Sequence, residues 1–158
     1  MNNTPDVSFG SGEVTIRSAD PEDAVRVGRL IGQLGYEITI EAARRRLVEL
    51  LGRADHSVLV AVQRKLVVGV LHVCITEALE HEPRGEIRAL SVDEDYRSRG
   101  IGARLIEAAE EWARERRVQK MRVRSNVKRS RARVFYERHG YEVMKTSNIF
   151  EKALVAAE

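Results

Sequence analysis

The chain has 158 residues, 43% apolar and 32% charged, with a formal net charge of +3. That size and balance fit one globular domain with a real core; they exclude a large multidomain enzyme, and the charge is too small to argue for nucleic acid. The lone cysteine, Cys74, excludes a disulfide framework, a CxxC pair or a thiolate metal site within one chain.

The start, MNNTPDVSFGSGE, lacks the charged and apolar regions of a signal peptide. Residues 1–12 read as a polar, disordered segment ahead of a single domain over 13–158. No run approaches the ~18 to 20 apolar residues of a membrane span. A cytoplasmic protein without a membrane partner is therefore expected.

EVTIRSAD alternates like a short strand and ends at Asp20-Pro21, a helix N-cap followed by proline at the first helical position. The helix behind it carries Ala24, Val25, Val27, Leu30, Ile31 and Leu34 near a 3.6 period and stops at Gly35. Thr39 opens a second helix, ITIEAARRRLVELL, which Gly52 ends. SVLVAVQ and LVVGVLHVCIT are β-branched runs joined at Arg64-Lys65, hence a hairpin. Within the second run Cys74 reads as a small buried hydrophobe.

EALEHEPR reads as a polar loop and GEIRALSV as a strand whose alternation puts Glu86, Arg88 and Leu90 on one face. A long helix is expected from about Ile101 to Arg117, burying Ile101, Leu105, Ala108, Ala109 and Trp112. QKMRVRSN reads as a strand, RSRARVFYERHG as a short helix ending at Gly140, and YEVMKTSNIFEKAL as a final antiparallel pair. The order β-αα-βββ-α-β-α-ββ implies a mixed α/β domain with helices on one sheet. His56, His72, His81 and His139 show no metal-ligand spacing, so no metal is expected.

YRSRGIG, residues 96–102, crowds two arginines and two glycines between a strand and a helix. The first amides of that helix lack intrahelical partners, and the helix dipole adds partial positive charge. Gly100 and Gly102 remove side chains that would fend off a ligand, while Arg97 and Arg99 bring full charges. A phosphate or diphosphate suits all of them together. The chain contains no GxxxxGK[ST] string, and Leu105 stands where a dinucleotide GxGxxG needs its third glycine.

VDEDYRSRGIGARLIEAAEEWA, VRSN and RARVFYERHGY, in that order over about Glu86 to Tyr141, resemble the GNAT superfamily of acyl-CoA-dependent N-acyltransferases. That resemblance implies a single-domain α/β fold whose mixed central sheet splays into a V with helices on both faces. It implies that acetyl-CoA is the cosubstrate. Its diphosphate would rest on backbone amides of Arg97, Ser98, Arg99, Gly100, Ile101, Gly102 and Ala103, and its pantetheine arm would pair with the strand at Leu90, Ser91 and Val92. Asn126 matches a position that contacts the carrier. Arg131, with Arg129 and Arg133, either approaches the adenosine phosphate or forms a solvated basic face.

The resemblance also assigns the chemistry, a direct transfer to an amine. An amine with a pKa of ~10.4 arrives protonated, so a base is needed, and Glu86 or an ordered water serves. A backbone amide near Leu90 would meet the developing oxyanion. Tyr136, in VFYERHGY, would protonate the leaving thiolate. Tyr36, Glu37, Glu41, Glu77, Glu80 and Glu82 make an acidic acceptor side that draws cationic amines of a small molecule or peptide. The resemblance names a homodimer as the assembly.

Two rivals remain at this stage. One is a non-catalytic acyl-CoA sensor of the same fold. The other is a nucleic-acid module built on Arg114–Arg133, which lacks the interleaved aromatics that stack bases; no nucleic-acid partner is expected.

Overall fold

The computed structural model describes residues 12–155. The segment expected to be disordered therefore lies, except for Gly12, outside the described residues. The chain divides after Val123 into two compact units.

The first unit is built on a five-stranded sheet of β1 (Val14–Ser18), β2 (His56–Gln63), β3 (Leu66–Ala78), β4 (His81–Val92) and β5 (Met121–Val123), in that spatial order. The first three joins are antiparallel and β4–β5 is parallel, so the sheet is mixed. The parallel join needs a crossover, supplied by helix α3 (Ile101–Glu115). Helices α1 (Ala24–Gly32) and α2 (Ile40–Leu51) connect β1 to β2.

The helix starts follow from their caps. Pro21–Asp23 forms a 3-10 turn in which the Asp20 N–H donates to Asp23 Oδ2 at 2.7 Å, and α1 follows directly. Thr39 Oγ1 accepts the Ala42 N–H at 3.1 Å and opens α2. Gly35, at φ +95, takes a left-handed turn after α1 that a side chain would resist.

Both faces of the sheet are covered. On one, Val58, Val60 and Val70 pack with Val27 and Leu30 of α1 and Leu47 of α2. On the other, α3 buries Ile101, Leu105, Ile106, Ala109 and Ala113. Gly69 permits this approach: a Cβ there would meet Leu105 Cδ1 at 3.0 Å and Ile101 Cγ2 at 3.2 Å. Trp112 departs from expectation. It sits beside the buried stripe, half-buried, with the Arg116 guanidinium 4.3 Å from its ring centre.

The β2–β3 hairpin turns at Arg64 and Lys65, with φ of 49° and 64°. Two positive φ values match the twist of the flanking strands, although neither residue is the usual asparagine or glycine. EALEHEPR is not the polar loop its composition suggests. β3 runs through Ala78 and β4 begins at His81, paired Ala78↔His81 and Thr76↔Arg84. A two-stranded ribbon wet on both faces tolerates polar residues, so polarity there did not mark a loop.

The expected strand over 119–126 is limited to Met121–Val123, and α3 ends at Glu115, two residues early, before the left-handed Arg117 (φ 61°). Helix α4 (Ser130–Arg138) forms in the second unit as expected. The final antiparallel pair does not form. Residues 141–154 adopt no regular structure, and Met144, Ile149, Phe150 and Leu154 are at least 80% exposed. Alternation marks residues suited to a sheet face, but a strand also needs a partner's backbone. Among the described residues the sheet ends at β5.

Candidate active site

β4 is the central element. It pairs with β5 only through Gly85, Glu86 and Ile87, opposite Met121, Arg122 and Val123. From residue 88 to Val92 it continues without a β5 partner, which leaves that edge of the open sheet unpaired. The loss of pairing coincides with a bulge: His72 pairs with Ala89, but the next residue, Val73, pairs with Ile87, leaving Arg88 extra.

A bulge shifts side-chain alternation by one position. Directly paired residues share a face, so Glu86 (opposite Cys74) lies with Ala89 (opposite His72) and Ser91 (opposite Val70). Leu90 and Val92 lie with Leu71 and Gly69, on the α3 side. The expected grouping of Glu86 with Leu90 is therefore corrected; alternation cannot survive an inserted residue. Ser91 is buried and its hydroxyl donates to the Leu30 carbonyl of α1 at 2.7 Å.

Glu86 is 3% exposed, and its Oε1 accepts from Arg88 Nη1 at 2.7 Å. Cys74 lies between Glu86 and His56 across the strands, buried and free. Burial pushes its thiol up, which suits a packed side chain and not a nucleophile. His56 Nδ1 and His72 Nε2 are 2.8 Å apart with their rings stacked. Burial, then the charges of His56 and Arg88, take His72 down to about 4.

The turn expected to cradle an anion follows β4 directly. Asp93, 5% exposed, caps a 3-10 turn over Glu94–Tyr96 by accepting the Asp95 N–H at 3.2 Å. Ser98 and Gly100 are both left-handed, at φ 61° and 78°. Gly100 is the N-cap of α3 and brings no side-chain cap to the helix's first amides. A Cβ on Gly100 would meet nothing within 4 Å, so its conformation, not crowding, calls for glycine, and the space outside is open. Arg97 Nε donates to the Val92 carbonyl at 3.1 Å, and Arg99 Nη2 donates to the Asp95 carbonyl at 3.2 Å. Both arginines brace the turn and remain exposed.

The second unit carries Asn126, Arg131 and Tyr136. The exposed Asn126 uses its Oδ1 in a local turn, accepting the Lys128 N–H at 2.9 Å, which leaves its amide donors for other use. Arg131 is exposed on α4. Tyr136 lies edge-on to Phe135 and Tyr141, with ring centres 5.3 and 5.7 Å away. Burial pushes its phenol up to about 12, partly opposed by the Arg129 charge. A phenol is already protonated at neutral pH, and the shift makes Tyr136 a weaker acid than an exposed tyrosine.

Glu86, Leu90–Val92 and Arg97–Ala103 thus fall on one strand and its following turn in the first unit, while Asn126, Arg131 and Tyr136 belong to the second. Asp93 and the bulged position of Arg88, with its hold on Glu86, were not expected from the sequence. Asp93 had a signal, an acidic residue between a strand and the turn before a helix. Arg88 had none, because a bulge leaves no local mark. Among the described residues no His, Cys, Asp and Glu group could hold a metal ion, and no helix is long and apolar enough to cross a membrane.

Residues 54–143 match the family described as acetyltransferase (GNAT) domain. No curated protein matches the sequence. Among solved structures, a transcriptional regulator from Bacillus halodurans C-125 superposes with a TM-score of 0.80 at 23% identity, over 89% of this chain and 100% of the other. The aminoglycoside 6'-N-acetyltransferase from Acinetobacter baumannii gives 0.80 at 16% identity, over 90% and 100%. An aminoglycoside N-acetyltransferase in complex with CoA gives 0.81 at 17% identity, over 89% and 95%. At these identities the structural likeness speaks for the fold. The family match spans more than half of the sequence and takes in both β4 and the cradle, and the chain belongs to the GNAT acetyltransferase family.

Proposed function

We propose that the protein transfers an acetyl group from acetyl-CoA directly to a primary amine of a small molecule or peptide. The observation that carries this reading is the junction after β4: a strand edge without a partner from residue 88 onward, running into a left-handed, glycine-capped helix start. A carrier with amides along its arm and a diphosphate behind them fits both halves. The strand edge at Leu90, Ser91 and Val92 offers hydrogen-bonding groups to the arm. The amides from Arg97 through Ala103 hold the diphosphate, and Asn126 and Arg131 are assigned contacts with the same carrier by the family resemblance alone.

Acetyl-CoA supplies an activated acyl group as its thioester. The chain's residues supply the rest. Glu86 takes the proton from the incoming ammonium, directly or through water, and Arg88 holds its carboxylate in place. The backbone amide near Leu90 meets the developing oxyanion. Tyr136, a phenol protonated at neutral pH, returns a proton to the departing thiolate. The acceptor is cationic: Glu77, Glu80 and Glu82 cluster about the β3–β4 turn, and acidic rims concentrate amines. The aminoglycoside enzymes among the structural neighbours support that class.

A thiol-release assay with acetyl-CoA over aminoglycosides, polyamines, aminoalkyl compounds and lysine peptides tests the reading. Turnover with at least one amine is expected, and Tyr136→Phe should lower it ~10²-fold or more. CoA binding without turnover on any acceptor would make the protein a sensor instead. An unchanged rate in the Phe variant would remove Tyr136 from the mechanism.

A further inference from the structure

Helix α1 and its C-cap Gln33 meet the segment running from Ser91 into the turn through three polar links on one stripe, at positions 26, 30 and 33. Arg26 donates through Nε and Nη2 to the Val67 carbonyl at 3.0 and 2.8 Å, and through Nη2 to Asp93 Oδ2 at 2.8 Å. The Leu30 carbonyl accepts the Ser91 hydroxyl at 2.7 Å. Gln33 Oε1 accepts the Glu94 N–H at 3.2 Å. Spacings of four and three place these anchors on one side of the helix.

Asp93 gathers the segment's contacts. One carboxylate oxygen takes Arg26 and the other takes the Asp95 N–H. Its own N–H donates to the Val68 carbonyl at 2.8 Å, and its carbonyl accepts the Tyr96 N–H at 2.8 Å. Burial alone would raise the Asp93 carboxyl, but the hydrogen bonds from Arg26 and Asp95, with the charges of Arg26 and Arg29, hold it below the ordinary value. It stays ionised and keeps its grip. Beyond it the backbone enters the two left-handed residues of the cradle without a repeating ladder to set its direction.

From these contacts we infer that Arg26, acting through Asp93, is a positioning residue that aims the cradle amides of residues 97–103 at the diphosphate. The inference rests on the proposed use of acetyl-CoA. A pair this enclosed (side chains 21% and 6% exposed) gains little net stability over apolar replacements. What it supplies is direction. The arginine fork reaches Val67 and Asp93 at once, which a lysine ammonium cannot reproduce with the same geometry.

Arg26→Met and Arg26→Lys test this, with CoA affinity read by calorimetry and amide exchange read in the ligand-free protein. Arg26→Met should weaken CoA binding ~10- to 10²-fold, the worth of about one charge-assisted hydrogen bond to the diphosphate, and speed exchange in residues 93–103, while β2 and β3 keep their protection. Arg26→Lys should recover part of the affinity. Should Arg26→Met fail to fold, the lysine variant carries the test, since it retains the charge and the stem. Turnover should show a raised KM for acetyl-CoA with kcat largely kept. Unchanged CoA affinity, or loosening spread evenly over the whole sheet, overturns the inference and leaves the proposed activity standing. A wild-type protein that takes up no CoA overturns both.

Discussion

His72 shows how a residue's surroundings set its chemistry. The unfolded chain would bind a proton there near 6.5, whereas the folded site does so only near 4. Between those values the unfolded state holds the extra proton, so the contribution is full above 6.5 and drains as pH falls toward 4. At ~1.4 kcal/mol per unit, the loss is at most ~3.5 kcal/mol. Thermal melts across that interval should show a falling Tm, with a shallower fall for His72→Asn; a level wild-type Tm contradicts the buried, neutral imidazole. Cys74, Glu86 and Arg88 share these surroundings; the burial of Cys74 was legible in its apolar run, the pairing of Arg88 with Glu86 was not. Gly100 was legible because a left-handed N-cap disfavours side chains. Glu86 was placed on the correct strand but grouped with the wrong neighbours, since the bulge at Arg88 is decided by the strands on either side.

At the scale of elements, the close approach of β4 to β5 depends on Gly85. A Cβ there would overlap Met121 Sδ and come within 3.5 Å of Ala113 on α3. Met121 can shift, but α3 behind it limits how far. Gly85→Ala should therefore cost ~1–3 kcal/mol, read as a lower urea midpoint, and Met121→Val in the same chain should recover part of it. An undiminished midpoint would mean that β5 is loosely held. The two early helices and the β2–β3 hairpin could be read from local signals: Asp20-Pro21, Thr39 and the β-branched runs. The β3–β4 ribbon was hidden because its residues are polar, and the absent C-terminal pair was misread because alternation alone supplies no partner.

Over the whole molecule, the mixed sheet with helices on both faces followed from the order of elements and the resemblance carried by three motifs. What sequence did not show was the division after Val123, since no proline- or glycine-rich linker marks it. The spatial order of the strands repeats their order along the chain. β2, β3 and β4 are joined by turns at Arg64–Lys65 and Leu79–Glu80, so their ladders close with little loop entropy. β1 must wait for two helices to pass before it meets β2, and β5 must wait for α3. The central meander is thus the expected folding nucleus. Mutational kinetics should give higher φ-values for truncations at Val70 and Val73 than at Ile16 and Val123. The reverse ranking would mean that the long connections, not the tight turns, start the chain on its way to the native state.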